Sequence, residues 1–324
     1  MKRREFITLG GAAVAWPLAA RAQQATMPVV GVLLAGSLQR WSGSAQFRQG
    51  LLDAGYVEGQ NIRIEYRGAE NQFDRLPTLA EELVQIKADV IVLGNTAATL
   101  AARRLTRTIP LVCMNCTDPV GMGLVTSESR PGTNVTGNLT RLEGLTGKQL
   151  ELASELLPGL LKIGVLIDVS NETNSVQRRE AESAAAALGL TIVPVTARTP
   201  NDIHPALKAL ALHGVRAVFV LQSTMFLSER KRIALLALAA KLAIVSPFRE
   251  IVEDGGLMSY GVDLSENYAR SAVYVARILK GERPADLPMQ FSTKLVLAIN
   301  LTAAKALEID VPPTLLARAD EVIE

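Results

Sequence analysis

Val29-Val30-Gly31-Val32-Leu33-Leu34-Ala35 is an uninterrupted apolar run that ends on Gly36-Ser37. A strand buried on both faces of a parallel sheet reads this way, whereas a strand with one wet face alternates. Residues 44–54 follow with helical spacing and stop at Gly55, a C-cap signal. The same grammar continues outward. Residues 62–66 read as a strand, 75–87 as a helix, 89–94 as a strand, 96–104 as a helix and 109–114 as a strand. Such βαβαβαβ order predicts a parallel sheet covered by helices on both faces.

The pattern then restarts. A helix ending at 150–157 is stopped by Pro158-Gly159. Strands are predicted at 162–169, 190–195, 217–221 and 244–247, with helices at 175–188, 203–212 and 229–242 between them. Two α/β units of similar size predict two Rossmann-like lobes. Residues 133–139 turn Gly/Thr/Asn-rich and read as a crossover between them. Two more crossovers are placed near 262–264 and 288–293. The expected division is an export signal over 1–22, a first lobe from 27–140 plus 265–287, and a second lobe from 141–264 plus 288–324.

Composition agrees with a folded domain. The chain has 324 residues, 48% hydrophobic and 20% charged, too apolar for a disordered chain and too mixed for a membrane bundle. The net charge is +2, from 34 basic and 32 acidic residues. Lys2, Arg3, Arg4 and Arg21 against Glu5 give the first 22 residues +3, which leaves the remainder at −1. A nucleic-acid partner needs a basic face, so none is expected. Lys2-Arg3-Arg4, the apolar stretch 6–20 and Ala20-Arg21-Ala22 have the three parts of an export signal cleaved near Ala22. Arg3-Arg4-Glu5-Phe6 also resembles a twin-arginine signal, with the general secretory route as the alternative. The expected location is the periplasm.

In open parallel sheets, ligands bind beyond the carboxyl ends of the strands. Those ends are Gly36-Ser37, Asn95-Thr96, 115–118, 168–171, Gln222-Ser223 and Phe248, mostly small or polar. Signatures for phosphate loops, dinucleotide sites and nucleophile elbows are missing, and no cofactor or metal is expected. The two histidines, His204 and His213, sit at a helix start and a helix end and read as surface or capping residues. Cys113-Met114-Asn115-Cys116 is a C-x-x-C, but Cys113 lies in a strand run rather than at the helix N-terminus that activates a redox thiol. Free buried thiols, a structural disulfide and a redox pair remain as readings, in that order.

Several segments carry a family likeness: Phe47-Arg48-Gln49-Gly50-Leu51 with 55–61, Asp118-Pro119-Val120-Gly121, 130–137, Gly256-Leu257-Met258-Ser259-Tyr260-Gly261 and 315–322. In these the chain resembles the bacterial ABC-transporter substrate-binding proteins related to the tryptophan/tyrosine-binding group, a type of periplasmic binding protein. The likeness runs in order through nearly all of the chain after the signal. It implies a type I periplasmic-binding-protein fold, with two lobes joined by three crossovers and a small solute in the cleft. It implies an aromatic or other amino acid as ligand, permease and ATPase partners on other chains, a monomer, and no enzymatic activity. A periplasmic sensor using the same cleft is the alternative.

An amino acid presents a carboxylate, an ammonium and a side chain. A helix N-terminus suits the carboxylate, which points to Thr96 with Asn95, and Ser37 is a second donor. The ammonium needs acceptors, which points to Asp118 and Asp263. Trp41, Phe248 and Tyr260 are the aromatic walls for a planar ligand. Asn171, Gln222 and Ser223 add hydrogen bonds from the second lobe, and Asn138 in the 133–139 segment completes the expected set.

Overall fold

The computed structural model describes residues 27–140, 144–171, 173–292 and 294–324. The export signal expected over 1–22 lies outside the described residues. The chain begins with strands β1 (Val29–Leu34), β2 (Arg63–Gly68), β3 (Val90–Leu93), β4 (Leu111–Cys116) and β5 (Val135–Leu139). Helices α1 (Ser44–Asp53), α2 (Leu76–Gln85) and α3 (Thr96–Leu105) alternate with the first four. It continues through α4 (Leu145–Leu156), β6 (Lys162–Asp168), α5 (Asn174–Ala187), β7 (Thr191–Ala197), α6 (Ile203–Leu212) and β8 (Ala217–Val220). Then come α7 (Thr224–Ser228), α8 (Arg230–Ala239), β9 (Ala243–Ser246), α9 (Arg249–Glu253) and β10 (Met258–Val262). Last are α10 (Leu264–Leu279), β11 (Gln290–Phe291), β12 (Leu295–Asn300), α11 (Leu301–Ala306), α12 (Pro313–Leu316) and β13 (Glu321–Ile323).

The strands form two sheets, one per lobe, in the orders β11-β5-β4-β3-β1-β2 and β13-β12-β10-β9-β8-β6-β7. β1 shows why its apolar run is continuous. It pairs in parallel with β2 and β3, and successive side chains point to opposite faces. Val30 and Val32 enter a core with Phe47 and Leu51 of α1, while Leu33 enters another with Leu83 of α2 and Ile91. Both faces are covered, so no position can be polar.

Three expectations need correction. Residues 133–139 are not a crossover. Val135–Leu139 is a fully buried strand between β4 and β11. Two of its polar groups bond to the segment above them: Thr136 donates to the Leu287 carbonyl at 2.7 Å, and the Asn138 amide nitrogen donates to the Asn267 carbonyl and the Ser271 hydroxyl. Second, the second sheet is not wholly parallel, because β10 pairs antiparallel with β12, placing Tyr260 opposite Leu297. Third, Gln290 and Phe291 pair with Asn138 and Leu139, so the first sheet reaches past the 287 boundary.

The chain leaves the second sheet at Val262 and enters α10, which packs on α1 in the first lobe. Gly50 makes that packing close: a Cβ there would meet the Ala269 carbonyl at 2.7 Å and the Ala272 methyl at 2.9 Å. Asp263 caps α10, accepting from the Ser265 amide at 3.0 Å and pairing with Lys294 at 3.2 Å. Burial pushes the Asp263 carboxyl up, but the Ser265 and Lys294 donors outweigh it and hold the group below its ordinary value.

Asp263→Ala is expected to cost about 1 kcal/mol, the worth of an N-cap, and to lower the Tm by a few degrees. A carboxyl with a depressed folded pKa stabilises above its unfolded value and stops doing so as pH falls through the folded one. The gap between wild type and variant in thermal unfolding should therefore be open near pH 7 and narrow progressively as the pH falls below about 4.

Candidate functional site

The carboxyl ends of the parallel strands in both sheets face one cleft. The first lobe supplies the end of β1 through Ser37, the following loop with Arg40 and Trp41, the start of α3, Asn115 and Thr117, and Tyr268 of α10. The second lobe supplies Asn171, Thr173, Gln222, Ser223, the α7 residues Thr224, Leu227 and Ser228, and Phe248.

Eight of the expected residues line this cleft: Ser37, Trp41, Asn95, Thr96, Asn171, Gln222, Ser223 and Phe248. Several are already committed to the wall. Asn95 accepts from the Ala98 amide at 3.0 Å as the N-cap of α3, and its amide donates across the cleft to Thr224 Oγ1 at 2.8 Å. Thr96 Oγ1 accepts from the Thr117 amide at 2.8 Å. Ser223 caps α7 and donates to Asp168 Oδ2 at 2.6 Å. Asp168 is fully buried, and its Oδ1 accepts from the Ser170 amide and hydroxyl. Asn171 and Asn174 both donate to the Gln222 carbonyl, and the Gln222 amide donates to Gln177 Oε1 at 2.8 Å. This network fixes the second-lobe wall.

Four expected residues lie elsewhere. Asn138 is fully buried beneath α10. Tyr260 packs against the second-lobe core, and its carbonyl accepts from Gln149 at 2.6 Å. Asp263 is the α10 cap. Asp118 turns away into an adjoining cavity, with φ +50° and its Oδ1 accepting from the Gly121 amide at 3.0 Å.

Tyr268 takes the aromatic place expected of Tyr260. Its ring meets Trp41 edge-on, centroids 6.0 Å apart, and Trp41 also stands 5.8 Å from Phe47. Burial first, and Glu250 second, push the Tyr268 hydroxyl well above the ordinary tyrosine range, so it stays a neutral donor. Its only sequence signal was its position on α10, four residues past the start of a helix that reads as ordinary core.

The lobes touch directly. Arg40 of the first lobe pairs with Glu229 of the second and donates to the Ser228 carbonyl at 3.4 Å. Gly36 lets α7 approach, since a Cβ there would meet Ser228 Oγ at 2.7 Å.

Cys113 and Cys116 are buried free thiols. Register slips between them: Cys113 faces Gly137 and Cys116 faces Leu139, so three steps on β4 match two on β5. Three steps along a regular strand would place them on opposite faces. The bulge brings both into the same core instead. The Cys113 thiol and then burial push the Cys116 thiol well up, opposite to the depressed value of a reactive cysteine.

A family model described as ABC transporter substrate binding protein matches residues 38–323. The tyrosine-binding protein of Clostridioides difficile (strain R20291) is 28% identical over 262 residues, which are 81% of this chain and 75% of that protein. A crystal structure of an ABC domain from Streptococcus pneumoniae in complex with L-Trp superposes with a TM-score of 0.82 at 26% identity, covering 91% of this chain and 99% of that one. A conserved domain protein from Vibrio cholerae matches with a TM-score of 0.82 at 32% identity, over the same shares. The two-lobed architecture is that of type I periplasmic binding proteins, and the relatives with named ligands are binding proteins rather than enzymes.

Denatured protein is expected to titrate two thiols without prior reduction. Cys113→Ser should leave ligand affinity unchanged, measured by calorimetry, because the thiol lies in the core behind the cleft wall.

Proposed function

This chain belongs to the ABC transporter substrate-binding protein family, and on that premise we propose that it is the extracytoplasmic solute-binding component of an ABC importer. It traps a small aromatic solute between its lobes by hinge closure and presents the closed form to permease and ATPase subunits carried on other chains. It acts as a monomer in the periplasm after export directed by residues 1–22.

The observation that carries this reading is the make-up of the cleft. Trp41 and Tyr268 from one lobe and Phe248 from the other flank a cavity rimmed by Ser37, Asn95, Thr96, Asn171, Gln222 and Ser223. Aromatic side chains on both sides suit a planar ring. The relatives' tyrosine and L-Trp ligands support an aromatic amino acid as the first class to try.

Closure is supported by the interlobe contacts. Each of the Arg40–Glu229 pair, the Asn95–Thr224 bond and the Gly36–Ser228 approach joins groups from different lobes. Three chain passages connect the lobes, so rotation about them opens the cleft without unfolding either sheet. A ligand drives closure only by binding the closed form better than the open one.

Scattering in solution tests this directly. The radius of gyration of refolded, ligand-free protein should fall on adding saturating L-tyrosine or L-tryptophan, and an unchanged radius with bound ligand overturns closure. Arg40→Ala removes one half-exposed ion-pair partner. It should weaken affinity by about fivefold through the open–closed equilibrium, with the order of preference among ligands unchanged.

A further inference from the structure

Another cavity lies where the chain passes between the lobes. Gln46 of α1 and Tyr268 of α10 wall it from the first lobe, Glu250 and Glu253 of α9 from the second, and Asp263 stands at the passage. Tyr268 also lines the solute cleft, so the two spaces share a wall. The charges around this cavity balance with one exception. Arg249 pairs with Glu253 at 2.7 Å and with Glu321 at 2.8 Å, and Lys294 pairs with Asp263 at 3.2 Å. On α8, Arg230 pairs with Asp254 at 2.9 Å and Lys231 stands 3.9 Å from the same carboxylate, while Glu266 on α10 pairs with Arg270. Glu250 is the acidic residue of the cavity that has no ion-pair partner among the described residues. From the opposite lobe, Gln46 Oε1 is buried and receives no hydrogen bond among the described residues. An ionised carboxylate only accepts and cannot serve that oxygen, whereas a protonated one carries an O–H that can.

We propose that Glu250 takes up a proton when the lobes close, so that solute binding in the cleft is linked to proton binding beside the passage between the lobes. With the lobes apart, the first-lobe walls of the cavity are withdrawn and water solvates the carboxylate. With the lobes together, the carboxyl is desolvated opposite an acceptor that lacks a donor, and the neutral form is favoured. The proton comes from solvent and returns to it on opening. In the closed arrangement burial is the first cause that pushes the Glu250 carboxyl above its ordinary value; Glu253 adds to it, and its own backbone amide, Arg230 and Arg249 oppose it. Glu250 is a positioning residue: it stands behind Tyr268 and acts on the solute through the wall that both spaces share. The inference rests on the closure described above and not on which solute is bound.

Calorimetry with L-tyrosine in two buffers of different ionisation enthalpy counts the protons exchanged. Near pH 6, wild type should take up part of a proton for each tyrosine bound, and its affinity should weaken by up to about tenfold per pH unit as the pH rises. Glu250→Gln carries an N–H donor in place of the carboxyl O–H and stands in for the protonated form. It should abolish the uptake, leave affinity flat between about pH 5.5 and about pH 7.5, and bind tyrosine more tightly than wild type at the upper end. Any contribution from His204 or His213 persists in the variant, so the difference reports Glu250. Equal proton exchange in the two chains, or release instead of uptake by wild type, overturns the linkage and leaves solute binding standing. If no aromatic amino acid binds, that solute class falls and scattering decides the linkage. The radius of gyration of ligand-free wild type should be smaller at the lower pH than at the upper, with no such change in Glu250→Gln, and the same pH response in both chains overturns it.

Discussion

The packing of α10 against α1 is the contact on which the rest of the molecule depends. α10 follows the second lobe in sequence but belongs to the first in space, so its docking closes the first lobe around a segment that returns from elsewhere. The approach is close because Gly50 meets Ala269 and Ala272 with no side chain between. From that seat α10 delivers three things. Asp263 caps it at the point where the chain passes between lobes. The Asn267 carbonyl and the Ser271 hydroxyl accept from the Asn138 amide of β5. Tyr268 forms an aromatic wall of the cleft against Trp41. A shift of α10 along α1 would disturb the crossing, the sheet and the site together.

The second-lobe wall depends on a different constraint, the burial of a carboxylate. Asp168 is fully buried, and an ionised group there is tolerable only with a full set of donors. Ser170 and Ser223 supply them, and Ser223 in turn caps α7, whose residues meet Gly36 and Asn95 of the other lobe. The polar residues at the strand ends therefore mostly shape the wall. The aromatic surface of the cleft comes from Trp41, Tyr268 and Phe248.

This division of labour explains why residue type alone was a partial guide to the site. Asn95 and Ser223 stand where strand-end reasoning places them, yet their hydrogen bonds go to helix amides and to the opposite lobe. Asp118 is likewise a turn former, and its turn carries it out of the main cleft to the lining of the adjoining cavity. Cys113 and Cys116 share a core because β4 slips register against β5 by one residue, and nothing in a C-x-x-C spacing announces a bulge.

Local patterning determined a good deal by itself. Continuous apolar runs such as 29–35, alternating with helical periodicity, determined two parallel α/β units and hence a cleft at their carboxyl ends. The physical reason is that burial on both faces of a sheet leaves a direct mark on each strand. Long-range pairing leaves no such mark. Only the tertiary structure decided that the polar segment 135–139 is a buried strand with a neighbour on each side, because its Thr and Asn partners lie more than a hundred residues away on α10 and beside it. For the same reason it alone decided that Tyr268 rather than Tyr260 faces the cleft, and that β12 runs antiparallel to β10. These choices are made by which distant surface is available to satisfy a buried group, and that is a property of the assembled lobes.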